Sequence, residues 1–172
     1  LYWFARTGDD IADEGDADAA ERLQSLARDR ADLAALYAGE PLSGRWPGVF
    51  APLEQARARH SLPFAPLDDL LDAFMQDVRK TYAGAGYADR AELLDYCSRS
   101  AAPVGRLVLH LYGIHDRAAL HQSDAICTAL QLINFWQDLS VDLPLGRYYR
   151  PQDRCAAHGT TQAAPVSALV AD

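Results

Sequence analysis

Apolar residues recur along the chain at helical spacing, and no stretch alternates apolar and polar positions in the manner of a strand. The pattern predicts helices from Leu1 to about Asp13, Ala17 to Ala38, Pro47 to His60 and Pro66 to Tyr82. Two more are predicted from an Asp89 N-cap to about Tyr112, and from His115 to about Val141. Leu23, Leu26, Leu33 and Leu36 mark the buried stripe of the second helix, and Gly39 fits its C-cap. In the fourth, Leu67, Leu70, Leu71, Phe74 and Val78 form the stripe, and Gly84 and Gly86 end it. Pro103 lies inside the Asp89–Tyr112 stretch and is expected to kink it, because proline lacks a backbone donor and crowds the preceding turn. Ser98, Ser100, Ala101, Ala102 and Gly105 surround the bend with small side chains, leaving room for a neighbouring helix or a ligand. Gly113 stops that helix, and Pro144 and Gly146 stop the next. The expected fold class is all-α, a helical bundle. Residues 1–153 form the helical domain, and 154–172, rich in Ala, Thr and Gln, read as a weakly structured tail or a truncated continuation.

Composition narrows the possible partners. A chain of 172 residues with 49% hydrophobic content can bury a real core. Its net charge of −8 and the lack of any Lys/Arg run argue against nucleic acid or anionic membrane as the main partner. An acidic protein can still take an anionic ligand if a divalent cation bridges them. Cys97, Cys127 and Cys155 are odd in number and lack metal-ligand spacing, which argues against a disulfide framework or zinc site, and Cys97 and Cys127 read as core thiols in a reducing cytoplasm. No run reaches the roughly 18–20 apolar residues that cross a bilayer. Leu1 enters directly into a helical pattern with neither cap nor initiating Met, as expected of a fragment.

Two Asp-x-x-x-Asp pairs carry the chemistry. Asp9 and Asp13 close the first helix, and Asp138 and Asp142 close the last, with Gln131 and Asn134 in register before them. Carboxylates at a helix C-terminus oppose the macrodipole by ~0.3–1 kcal/mol each, so a compensating cation is expected near Asp9, Asp10 and Asp13. Three readings compete. Solvated acidic faces are the commonest fate of helical Asp. A di-iron bundle needs Glu-x-x-His motifs, which both helices lack. A Mg²⁺–diphosphate site needs one or two carboxylates per ion with phosphate oxygens completing the shell. Arg6 and Arg147 are placed to share the phosphate charge. Loss of diphosphate generates a carbocation, which calls for a dry, aromatic cavity, and Tyr2, Phe4, Tyr96, Phe135 and Trp136 are candidates for it or for ordinary core. His110 and His121 read as satisfying local hydrogen bonds rather than binding metal.

These residues also carry a resemblance. Tyr2-Trp3-Phe4-Ala5-Arg6-Thr7-Gly8-Asp9-Asp10-Ile11-Ala12-Asp13-Glu14 resembles the first aspartate-rich motif of the squalene and phytoene synthases. Gln131-Leu132-Ile133-Asn134-Phe135-Trp136-Gln137-Asp138-Leu139-Ser140-Val141-Asp142, with Gly146-Arg147-Tyr148-Tyr149, resembles the second. Tyr96-Cys97-Ser98-Arg99-Ser100-Ala101-Ala102-Pro103-Val104-Gly105 is similar to the small-residue helix beside the family's substrate tunnel. Within the family, Asn134-Phe135-Trp136-Gln137-Asp138 looks most like the bacterial hydroxysqualene synthases of the hopanoid pathway, since other head-to-head synthases usually carry Arg where Gln137 stands.

The resemblance implies an isoprenoid-synthase bundle, truncated at both ends relative to the family. It implies a Mg²⁺-dependent enzyme that converts presqualene diphosphate to hydroxysqualene, water capturing the cation. Squalene or phytoene synthesis from farnesyl diphosphate is the alternative within the family. A non-catalytic relic or partner subunit is the alternative outside it. The absence of a glycine-rich dinucleotide motif decides little between reductive and non-reductive chemistry, because the family's reductase members lack one too. By position, Asp9, Asp13, Asp138 and Asp142 match the metal–diphosphate aspartates, and Tyr2, Arg6, Gln131, Asn134 and Arg147 surround the diphosphate. Tyr96, Val104 and Gly105 match tunnel-lining positions, and Gln137 is the candidate for positioning the quenching water. A lipid substrate and product imply a cytoplasmic protein at the inner face of the membrane, with neighbouring hopanoid-pathway enzymes as partners.

Overall fold

The computed structural model describes residues 1–165, and all regular structure among them is helical. In chain order the elements are α1 (Tyr2–Asp13), α2 (Ala19–Ala38), α3 (Pro47–His60), α4 (Ala65–Tyr82), α5 (Arg90–Ser100) and α6 (Ala102–Leu111). They continue with α7 (Arg117–Gln137), α8 (Leu139–Asp142), a 3-10 turn over Leu143–Leu145, and α9 (Gln152–Ala157). Local chemistry sets most of the boundaries. Asp18 and Glu21 form a reciprocal capping box at the start of α2, each side chain accepting from the other's backbone N–H at 2.9 and 3.2 Å. Asp89 and Asp116 cap α5 and α7 through the N–H groups of Glu92 and Ala119.

Helix α4 is the axis of the molecule and packs against α1, α2, α5 and α6. Its Leu67, Leu71, Met75 and Val78 enter one core with Phe4, Leu26, Leu33, Leu36, Phe50 and Leu53. Ala73, on another face of α4, enters a second core with Tyr87, Leu93, Tyr96, Cys97 and Phe135. Gly8 lets α1 lie close on α4, since a Cβ there would come within 2.7 Å of the Phe74 ring. Gly105 does the same for α6 on α7, where a Cβ would meet Ser123 and come 2.7 Å from the Cys127 sulfur.

Two predicted helices are divided. The Asp89–Tyr112 stretch is two helices rather than one kinked helix, broken at Ala101 (φ −112°, ψ −49°). Pro103 occupies the first turn of α6, where its missing N–H costs nothing, so the chain restarts a helix instead of bending one. The His115–Val141 stretch likewise ends at Gln137, and Asp138 takes bridge-region angles (φ −92°, ψ 6°) before α8 resumes. Asp138 and Asp142 remain one turn apart, Asp142 N–H donating to the Asp138 carbonyl at 2.8 Å. Beyond Pro151, α9 buries Cys155, and the Gln152 and Asp153 N–H groups donate to the Tyr87 and Ala88 carbonyls. Gln162 is buried and donates to the Tyr87 carbonyl at 2.9 Å, while residues 166–172 lie outside the described part.

Candidate active site

The two acidic pairs meet through one guanidinium. Arg147 reaches Asp13 of α1 at 3.0 Å with one nitrogen and Asp142 of α8 at 3.7 Å with another. The turn after α8 makes this contact. Gly146 adopts φ 76°, and the Arg147 N–H donates back to the Asp142 carbonyl at 3.0 Å, a Schellman-type closure that returns the chain toward α8. Arg147 and Asp142 are both largely buried, with 16% and 10% of their side chains exposed, so the pair is not an ordinary surface ion pair.

Arg6 organises the other side of α1. It lies 3.2 Å from Asp9, one turn on, and 2.7 Å from both Asp10 and Glu14. The end of α1 nevertheless holds more negative than positive charge. Burial, followed by the neighbouring Asp13, holds the Asp9 pKa above the usual carboxylate range. Burial raises Asp13 too, opposed by Arg147 and Arg22. Asp142 is pushed up to about 6 by burial, with Arg147 opposing and Asp138 and Asp13 adding to the rise. Carboxylates that resist ionisation in this way would be relieved by a further cation.

The donor set is all oxygen, as a hard divalent cation prefers, and the four aspartates are the residues that would hold Mg²⁺. Among the described residues no three His, Cys, Asp or Glu side chains form a ready-made metal cage. Mg²⁺ needs no such cage, because it binds through one or two carboxylates and takes its remaining ligands from water and phosphate.

Beneath the acidic pairs lies a carboxyl that the sequence pattern did not single out. Asp77 of α4 accepts from the hydroxyl of Tyr96 on α5 in a short contact, and from the Tyr149 hydroxyl at 3.4 Å. Burial pushes Asp77 up to about 7, with both tyrosine hydrogen bonds opposing the shift. Tyr149 stacks on Phe135 at 4.0 Å and 6°, fixing the chain just past Arg147 against α7. Asp77 stands three residues after Phe74 and seven after Leu70, alone on an apolar stripe. The sequence pattern does not single out Arg22 either, although a cation in the first turn of α2 opposes that helix's dipole. It donates to four backbone carbonyls around the end of α1. The compensating cation expected there from the sequence is thus supplied in part by arginines.

The other predicted positions are distributed as follows. Gln131 is half-buried, while Asn134, Gln137 and Asp138 are exposed around the end of α7. Tyr2 is exposed with its ring edge-on to Trp3. Tyr96 is a core residue, 4% exposed, whereas Val104 is 48% exposed and Gly105 sits in the α6–α7 contact. Phe4 and Phe135 are core, and Trp136 is 77% exposed. His110 hydrogen-bonds the His60 carbonyl at 2.8 Å, a long-range contact from α6 to the end of α3 rather than the local one expected. Val104, Val108 and Leu111 of α6 and Ile126, Leu130 and Ile133 of α7 leave an apolar surface open. No helix among the described residues is long and apolar enough to cross a membrane.

Comparison with known proteins places the whole chain in one family. The sequence pattern of the squalene/phytoene synthases matches residues 1–171. Hydroxysqualene synthase from Sinorhizobium fredii is 38% identical over 162 residues, which cover 94% of this chain and 51% of that protein. Presqualene diphosphate synthase from Zymomonas mobilis is 34% identical over 153 residues, covering 89% of this chain and 50% of that one. The crystal structure of squalene synthase HpnC from Alicyclobacillus acidocaldarius superposes with a TM-score of 0.79 at 38% identity, over 93% of this chain and 57% of its own. The chain spans about half the length of the curated relatives it matches.

Proposed function

The chain belongs to the squalene/phytoene synthase family, and from that premise we propose that it carries the diphosphate-binding centre of a hydroxysqualene synthase. The substrate is presqualene diphosphate. Its C–O bond breaks with the electron pair leaving on the diphosphate. The rearranged cation takes the oxygen of a water molecule, and the surplus proton passes to solvent or to the released diphosphate. The observation that carries this reading is Arg147 standing between Asp13 and Asp142, which makes one basic and acidic centre from the two motifs.

Asp9, Asp13, Asp138 and Asp142 would hold Mg²⁺, which when bound supplies Lewis-acid neutralisation of the leaving group. Arg6 and Arg147 turn from their aspartates toward phosphate oxygens, as guanidiniums favour. Tyr2, Gln131 and Asn134 supply neutral hydrogen bonds around the diphosphate, and Gln137 positions the water. The exposed apolar side chains of Val104, Val108, Ile126 and Leu130 suit contact with a prenyl chain. Gln137 favours water capture over the squalene- and phytoene-forming alternatives. On this reading the protein works in the cytoplasm against the inner face of the membrane, beside the enzymes that make its substrate and take its product.

Incubation with Mg²⁺ and presqualene diphosphate, without NADPH, is expected to yield hydroxysqualene. Squalene or phytoene from farnesyl diphosphate would favour the neighbouring reactions. No turnover, from this chain or from a longer one containing it, would favour a relic or a non-catalytic subunit.

A further inference from the structure

The last turn of α1 ends on Asp13, after which the backbone extends at Glu14 (φ −103°, ψ 156°) and reverses at Gly15 (φ 77°). A helix end leaves carbonyls without partners, and three carboxylates on this one leave it freer still to fray. One side chain from another helix closes it. The Arg22 guanidinium on α2 donates to the carbonyls of Ile11 and Glu14 at 2.9 Å each, of Ala17 at 2.9 Å and of Gly15 at 2.6 Å. Arg22 is itself held by the capped first turn of α2, where its N–H donates to the Asp18 carbonyl at 3.0 Å. The contacts fall on both sides of Asp13, at the Ile11 carbonyl two residues before it and at the Glu14 carbonyl one residue after it.

We propose that Arg22 is the positioning residue of the first acidic pair, its guanidinium clamping the turn after α1 and so fixing where Asp13 meets Arg147 and the bound cation. The proposal rests on the reading of Asp9 and Asp13 as cation ligands. The Arg22 guanidinium bonds backbone carbonyls and makes no hydrogen bond to Asp9 or Asp13. Its effect runs through the backbone, and it requires the fork of the guanidinium, because a single ammonium cannot reach four carbonyls spread over seven residues.

The test compares Arg22→Lys and Arg22→Ala with Arg30→Ala. Arg30 bonds Asp68 bidentately at 2.6 Å and ties α2 to α4 away from the acidic pairs, so its loss measures a general weakening of α2. Two readouts are taken on the full chain: amide hydrogen exchange across residues 11–18, and calorimetric titration with Mg²⁺ and inorganic diphosphate. Both Arg22 variants should exchange faster at 14–18 and bind Mg²⁺–diphosphate about tenfold more weakly, as loss of a group that orients ligands typically does. Arg30→Ala should match wild type in both. Arg22→Lys behaving as wild type would overturn the clamp in favour of charge alone, and equal losses in Arg30→Ala would reduce it to general packing. Binding by wild type that Arg22→Ala retains in full would overturn only the positioning role. A wild type that binds no Mg²⁺–diphosphate would contradict the functional reading and the positioning role with it.

Discussion

Arg147 is the residue on which the centre turns, and it pairs with the carboxylates that Mg²⁺ would need. Arg147→Gln leaves the largely buried Asp142 without its counter-charge, an arrangement that costs about 1–3 kcal/mol after allowance for the half-exposed Asp13. The variant is expected to melt about 3–8 °C lower in EDTA, and to regain more than wild type on adding Mg²⁺. Equal melting with and without Mg²⁺ would mean that Arg147 does not share these aspartates with a cation. Asp77 gives a pH prediction. With its pKa raised to about 7, the folded protein keeps a proton that the unfolded chain releases near pH 4. Its contribution to stability is therefore full below about pH 4 and is lost as pH rises to about 7. Asp29 and Asp142, both raised to about 6 chiefly by burial, act in the same direction, so the comparison must be with Asp77→Asn. That variant can still accept from Tyr96, and should gain on wild type by roughly 1–3 kcal/mol between pH 5 and pH 8. A difference that does not change with pH would show that Asp77 is charged throughout. At this scale the sequence was partly legible. Spacing exposed Asp9, Asp13, Asp138 and Asp142, because a four-residue interval is a helical signature. It did not expose Asp77, whose meaning depends on hydroxyls 19 and 72 residues away.

At the scale of elements, the helices were legible where side chains announce their ends. Pro47 and His60 bound α3 as predicted, and Gly39 closes α2 in the left-handed conformation at φ 73°. The breaks at Ala101 and Asp138 were not, because apolar periodicity runs through both and only backbone angles register them. The small residues around Pro103 were expected to leave space for a helix or ligand, and at Gly105 the occupant is α7. Gly8→Ala therefore tests the α1–α4 contact. The added methyl overlaps the Phe74 ring, costing ~1–3 kcal/mol by overpacking against a helix-propensity gain of about 1 kcal/mol. A net loss of stability by chemical denaturation is expected, together with weaker Mg²⁺ binding as Asp9 moves with α1. Gly105→Ala should be milder, since the Ser123 hydroxyl can rotate away. A Gly8→Ala protein as stable as wild type would mean that α1 is free to lift from α4.

At the scale of the whole molecule, the described helices surround α4, whose different faces enter two cores, and α6 and α7 carry exposed apolar side chains. Periodicity gave α2 and α4 one buried stripe each, but α4 serves two cores, and α7 buries only Phe135. The all-helical class was therefore readable, while the division between inside and outside was not. Exposed apolar side chains along α6 and α7 and the acidic centre at Arg147 are the two features that the proposed lipid diphosphate would use. The most direct measurement is product identification after incubation with presqualene diphosphate and Mg²⁺, without NADPH, for wild type and Asp138→Asn at matched helical content. Hydroxysqualene from the wild type and its loss by at least about a hundredfold in Asp138→Asn is the predicted result. Turnover by Asp138→Asn at the wild-type rate, or by wild type in EDTA, would contradict a metal-held diphosphate between the two acidic pairs.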